Sequence, residues 1–252
     1  MINPLNLTGR TIIVTGASSG IGRETAIHIS RLGGKVILVA RNTQRLHETM
    51  TRLNGEGHSS YSFDLQQLSG IEPLLQLIVS ESGLISGLAY CAGIGNTYPV
   101  SMTRTDRLMK VMNVNTFGFV EMVRILSSER FRTCEASFVG VSSVAALKGE
   151  KGMLAYCMSK GALNSGMRAM ARELGVSGVR VNVVLPGWIK TEMYEDVVDS
   201  YGSSKFDREM ASLQYLGLGA PLDIANAIVF LLSNASRFIS GIEMPVDGGY
   251  LS

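Results

Sequence analysis

Thr11-Ile12-Ile13-Val14-Thr15-Gly16-Ala17-Ser18-Ser19-Gly20-Ile21-Gly22 decides how the rest of the chain is read. The run Thr11 to Val14 is apolar and β-branched without interruption, which predicts a strand buried on both faces. A turn of small residues follows. From Ile21 to Leu32 the pattern is helical, and Gly33-Gly34 ends it. Between a first strand and a first helix the glycines have separate uses. Gly16 permits a tight turn, Gly20 lets the backbone approach a bound group, and Gly22 lets the helix pack against the strand. With Ser18, Ser19 and Ile21 they form a loop whose helix N-terminus offers N–H groups and positive dipole potential to phosphate. The spacing is GxxxGxG, and a glycine turn can be purely structural. Its place between strand and helix favours nucleotide binding.

The alternation continues outward from this unit. Strand patterns recur at Lys35–Val39, Tyr61–Phe63, Leu88–Tyr90, Ser137–Val141, Val179–Val184 and Glu243–Val246, with helical stretches between them, including Thr43 to Leu53. Strands that are apolar throughout imply a sheet covered on both sides. The expectation is an α/β fold in one doubly wound domain over residues 1–252: a mostly parallel seven-stranded sheet with helices on both faces. Glu243–Val246 should lie at an edge, where Pro245 is tolerated. Trp188 to Leu218 breaks the rhythm and is expected to be a substrate lid over residues 188–218.

Composition narrows the function classes. Apolar residues make up 46% of the 252 and charged residues 17%, enough to fill a core and too few charges for a disordered chain. A net charge of +2 gives no nucleic-acid footprint. Cys91, Cys134 and Cys157 have neither disulfide-framework nor zinc-site spacing, so no metal site and a reducing, cytoplasmic setting are expected. The first residues lack the basic and apolar regions of a signal peptide, and no apolar run is long enough to span a bilayer.

The second strand runs into Ala40-Arg41-Asn42. An acidic residue there would accept ribose hydroxyls; Ala40 occupies that place and Arg41 can pair with a 2′-phosphate. NADP(H) is therefore expected over NAD(H). Asp64 could accept from the adenine amino group or cap the helix before Leu65. Two Ala-Tyr-Cys tripeptides then compete for chemistry. Tyr156 has Lys160 four positions ahead on one helix face, and a nearby ammonium is expected to lower the phenol from about 10. Such a tyrosine serves as acid or base toward an alcohol or ketone oxygen. Ser143 at a strand end could hold that oxygen, and Asn115 could bridge Lys160 to solvent. Tyr90 has no such partner and is expected to pack or line a pocket.

Taken together, these residues resemble the classical short-chain dehydrogenase/reductase family over nearly the whole chain. The resemblance rests on Thr15 to Gly22, Asp64, Ala92-Gly93, Asn115, Ser143 thirteen residues before Tyr156, Tyr156-x-x-x-Lys160, Asn182 to Gly187 leading to Thr191, and Val246-Asp247-Gly248-Gly249. It implies a Rossmann fold and hydride transfer at a nicotinamide. In the implied tetrad Ser143 orients substrate, Tyr156 is the acid/base, Lys160 also binds the nicotinamide ribose, and Asn115 supports the proton relay. Pro186, Gly187, Ile189 and Thr191 would hold the carboxamide. A homotetramer or homodimer built on the helices around Asn115 and Tyr156 and on the last strand is also implied. Tyr90-Cys91 departs from the family's Asn-Asn.

The substrate pocket is expected from Gly93 to Tyr98, Val144 to Met153 and the lid, with Val144, Leu147, Met153, Trp188, Met193 and Tyr194 making it largely apolar. A 3-oxoacyl thioester on a carrier protein leads as substrate, with Arg168 and Arg172, or Arg130 and Arg132, meeting an acidic carrier. The alternatives are a ketone of a sugar, steroid or other small molecule, and a non-catalytic NADP(H)-sensing protein on the same fold.

Overall fold

The computed structural model describes residues 3–95, 97–201 and 212–252. Parts of two predicted regions, residue 96 of the pocket loop and residues 202–211 of the lid, lie outside the described residues. Seven strands form one sheet in the order β3-β2-β1-β4-β5-β6-β7, every neighbouring pair parallel. They are β1 (Thr11–Thr15), β2 (Lys35–Ala40), β3 (Ser59–Ser62), β4 (Ile85–Tyr90), β5 (Arg132–Val141), β6 (Val179–Pro186) and β7 (Glu243–Val246). The doubly wound α/β expectation holds, and the sheet is parallel throughout rather than mostly so.

Unbroken apolar strands are explained by the two cores. Ile13, Ile37, Val39, Leu88 and Phe138 point to one face; Ile12, Val14, Val36, Leu38 and Val139 point to the other. The strand period of two divides each run between the faces. On the first side lie α3 (Ile71–Ser82), α5 (Gly118–Leu126) and α7 (Leu154–Leu174), contributing Leu75, Met122 and Leu163. On the second lie α1 (Gly20–Arg31), α2 (Thr43–Met50) and α9 (Pro221–Leu232), contributing Ile29, Leu46 and Ile228. Each such aliphatic side chain contributes about 1.5–3 kcal/mol when fully buried. The other α-helices among the described residues are α4 (Thr105–Met112), the short α6 (Ala145–Lys148) and α8 (Glu192–Tyr201). Among the described residues no helix is long and apolar enough to cross a membrane.

Strand order reverses direction between β1 and β4. Their loops part there, and in an open parallel sheet ligands bind outside the strand ends at this point.

Candidate active site

At that switch point opens a cleft of about 640 Å³. Of the residues predicted to hold a dinucleotide, Gly16, Ser18, Ser19, Gly20, Ile21, Gly22, Arg41, Asp64, Leu65, Ala92, Gly93 and Thr191 line it. Its glycines form a cradle that side chains would fill. Gly16 sits at φ +64°, and a Cβ there would stand 2.9 Å from the Ala92 nitrogen. A Cβ on Gly22 would overlap the Gly16 carbonyl oxygen, and one on Gly20 would reach 3.2 Å from the Thr191 methyl. Ala92 N–H donates to Thr15 Oγ1 at 3.1 Å, tying the β1 and β4 loops together. No side chain caps the start of α1 and no acid lies in its first turn. The N–H groups there suit a pyrophosphate.

At the end of β2, Ala40 is buried and Arg41 is exposed at the cleft mouth. Arg45, one turn into α2, lines the same stretch. Its spacing from Arg41 is i, i+4, a signal the sequence carried and the sequence reading passed over. Asn42 Oδ1 accepts from Arg45 N–H at 2.9 Å and so caps the start of α2. Asp64 lines the cleft but also serves its own turn, accepting from Gln66 N–H at 3.0 Å.

A second cleft, about 440 Å³, continues from the first and shares Ile21, Cys91, Gly93, Thr191 and Met193 with it. Ser143, Tyr156, Lys160, Pro186, Gly187 and Ile189 line it, as do the predicted substrate contacts Val144, Met153, Trp188 and Met193, and Tyr194. Ser143 follows β5; Tyr156 and Lys160 share one face of α7. Lys160 Nζ lies 5.6 Å from the Tyr156 ring centroid and donates to the Val141 carbonyl at 2.6 Å. Asn115 sits in a π-helical turn, Asn113–Phe117, between α4 and α5. Its Oδ1 accepts from Ile94 N–H at 2.8 Å, and its Nδ2 donates to Ile94 O and Ser159 Oγ, each at 2.9 Å. A Cβ on Gly93 would stand 3.5 Å from Lys160 Nζ and 3.6 Å from Asn115 Oδ1, so these two meet beside Gly93, although the buried Asn115 lines neither cleft.

The electrostatics correct one expectation. Lys160 was expected to lower the Tyr156 phenol. Burial dominates instead and raises it, with the Ser143 hydrogen bond pulling the other way. Burial likewise lowers Lys160 to about 8. Desolvation disfavours both charged forms, and Lys160 spends its short hydrogen bond on a backbone carbonyl rather than on the phenol. Cys91 is pushed up to about 12 by burial, which fits an inert thiol.

Tyr90 lines neither cleft. It is fully buried, packs edge-on to Phe119 with centroids 5.5 Å apart, and donates its hydroxyl to the Val114 carbonyl at 2.5 Å. Val114 precedes Asn115 in the π-helical turn, and a side chain on Gly118 would overlap the Tyr90 hydroxyl. The tyrosine that departs from the family pattern thus braces the turn carrying Asn115. Tyr90→Phe is expected to cost about 1–3 kcal/mol, because it leaves that carbonyl without a buried partner. Urea melts would register this as a lower midpoint at unchanged m-value; an unchanged midpoint would remove the brace.

Two other expectations, for Leu147 and Arg132, need correction. Leu147 is exposed on the outward side of α6 and does not line the cleft. Arg132 is buried at the start of β5, bonded to carbonyls of Ser127, Thr133 and Cys134, so it cannot meet a partner. Arg168 is paired with Glu243.

Residues 16–251 match a family model described as "Enoyl-(Acyl carrier protein) reductase". The chain belongs to the short-chain dehydrogenase/reductase family, oxidoreductases that use nicotinamide cofactors on alcohols and ketones. It is similar to a 3-oxoacyl-[acyl-carrier-protein] reductase of Bos taurus, 32% identical over 94% of this chain and 95% of that one. A 7alpha-hydroxysteroid dehydrogenase of Escherichia coli K12 is 29% identical over 97% and 95%. A solved short-chain type dehydrogenase/reductase from Mycobacterium ulcerans superposes with a TM-score of 0.88 at 30% identity, covering 97% of this chain and 90% of that one.

Proposed function

We propose that this protein is an NADP(H)-dependent reductase of ketones, with a 3-oxoacyl thioester as its leading substrate. The observation carrying the reading is that Ser143, Tyr156 and Lys160 line a cleft continuous with the glycine-cradled dinucleotide cleft. When bound, the nicotinamide supplies hydride to the carbonyl carbon. The Ser143 hydroxyl holds the carbonyl oxygen, and the Tyr156 hydroxyl gives that oxygen a proton as negative charge develops. Lys160, beside the Tyr156 ring, would hold the nicotinamide ribose, and Asn115, bonded to Ile94 in the loop after β4, would support return of the proton from solvent. Ile189 and Thr191 border the nicotinamide pocket with Pro186 and Gly187. We read residues 1–252 as a single domain, with Trp188, Ile189, Thr191, Met193 and Tyr194 of the expected lid lining the substrate cleft. The thioester preference is supported mainly by similarity to the bovine reductase, since Arg132 is buried. NADPH oxidation with 3-oxoacyl thioesters, steroid ketones and sugar ketones side by side tests it. Tight NADPH binding without turnover of any of them would favour a sensing protein.

The NADP(H) preference is supported by Arg41 and Arg45 at a strand end that bears no acid. A charge-assisted phosphate contact is worth about 1.5–3 kcal/mol. Arg41→Ala should therefore weaken NADPH by roughly 10–100-fold and leave NADH nearly untouched; fluorescence titration of both cofactors reads the difference, and equal losses would refute it.

Free cysteines at positions 91, 134 and 157 fit a reducing, cytoplasmic setting. Met109 on α4, Phe117 and Val120 around α5, and Leu154 and Met158 on α7 leave apolar surface exposed. We assign that surface to a homodimer or homotetramer. Sedimentation velocity should find no monomer at micromolar concentration; a monomer would overturn the assignment.

A further inference from the structure

Among the described residues lining the 440 Å³ cleft, Glu150 is the one carboxylate. It lies in the loop between α6 and α7; the same cleft is lined by the apolar Val144, Met153, Trp188 and Met193, and Lys160 is its lysine. Its direction is set from the far end of the chain. Tyr250 donates its hydroxyl to Glu150 Oε1 at 2.5 Å, and the Trp188 side chain hydrogen-bonds to the same tyrosine. Lys148 Nζ stacks 4.1 Å above the Tyr250 ring, and no ion pair joins it to Glu150 among the described residues. The tyrosine is itself held by a C-terminal turn in which Asp247 accepts from Gly249 and Leu251 N–H groups, each at 3.0 Å. Three separate segments therefore converge to fix one negative group in the cleft.

A charge fixed in a confined cleft biases ligands by sign, because less water screens it than at an open surface. We propose that Glu150, oriented by Tyr250, determines substrate charge: the cleft admits ketones whose group beyond the carbonyl is neutral, cationic or a hydrogen-bond donor, and rejects those bearing a carboxylate there. This deepens the ketone-reductase reading and rests on it for the cleft's role. A 3-oxoacyl thioester passes the filter, since its acyl carbon is uncharged and an amide N–H follows along the pantetheine arm. The free 3-oxo acid of the same skeleton does not.

Trp188 is the chain's single tryptophan and lines this cleft, so its fluorescence reports occupancy without turnover. The experiment titrates the enzyme–NADP⁺ complex with ethyl 3-oxobutanoate and with 3-oxobutanoate. Wild type should bind the ester more tightly by about tenfold or more. Glu150→Gln should tighten the anion by about tenfold and move the ester by less than about twofold. Tyr250→Phe keeps the ring under Lys148 and should narrow the ratio partway, which guards against misfolding of the first variant. Equal quenching of wild type by both ligands, no quenching by either, or an unchanged ratio in Glu150→Gln would overturn the proposal. Selective quenching with no NADPH turnover would leave the filter standing and sink the catalytic reading instead.

Discussion

Tyr156→Phe should lower kcat by roughly 10²–10⁴-fold and leave NADPH affinity close to wild type. The substitution removes one oxygen from a partly buried ring and keeps the packing of α7, so the fold should be retained. What would be lost is the proton donor proposed beside Ser143. Burial keeps the phenol protonated above its ordinary range, which suits it to give a proton to a nascent alkoxide. Because the interaction is made to charge that appears only in the transition state, kcat and kcat/KM should fall together. Steady-state kinetics with a cofactor titration on the same preparation check this. A variant retaining a rate within about threefold of wild type would fall far outside the general-acid range and assign the proton to another group.

Lys160→Met should abolish turnover and make the protein more stable. Lys160 is buried, and its ammonium donates to Val141 O. Burial lowers it to about 8, from an ordinary value near 10.5. Between those values the folded chain has released a proton that the unfolded chain still holds. The unfolded state then binds more protons, so wild-type stability rises with pH across that window. Below about 8 both states are protonated and the folded protein carries the full cost of a buried charge. Methionine fills the same space without that cost, although Val141 O loses its partner. At pH 7 each kcal/mol gained should raise Tm by about 2–4 °C, and the rise with pH between about 8 and 10.5 should vanish. Melting curves at neutral and alkaline pH decide it; a lower Tm at pH 7 would mean that the hydrogen bond outweighs desolvation. A residue that costs stability where it sits is one retained for function.

Tyr90 and Arg45 show where reading a sequence stops. Arg45 was within reach, since Arg41-x-x-x-Arg45 is a local spacing at a helix start. Tyr90 was placed in packing, but nothing near it in sequence indicates that its hydroxyl meets Val114, 24 positions away. Leu147 and Arg132 fail for a related reason. Apolar or basic character says nothing about which side of a four-residue helix, or which end of a strand, a side chain will occupy.

The sequence by itself determined the parallel α/β plan, the glycine cradle, the absence of an acid after β2 and the shared face of Tyr156 and Lys160. All of these are short-range: strand and helix periods, and steric limits on glycine, act within a few residues. Only the tertiary structure decided that burial, not the lysine, governs the phenol, that Tyr90 braces the turn of Asn115, and that Tyr250 aims Glu150 across 100 positions of chain. Desolvation depends on everything packed around a group, and hydrogen bonds between remote segments exist only once the sheet has brought their loops to one edge.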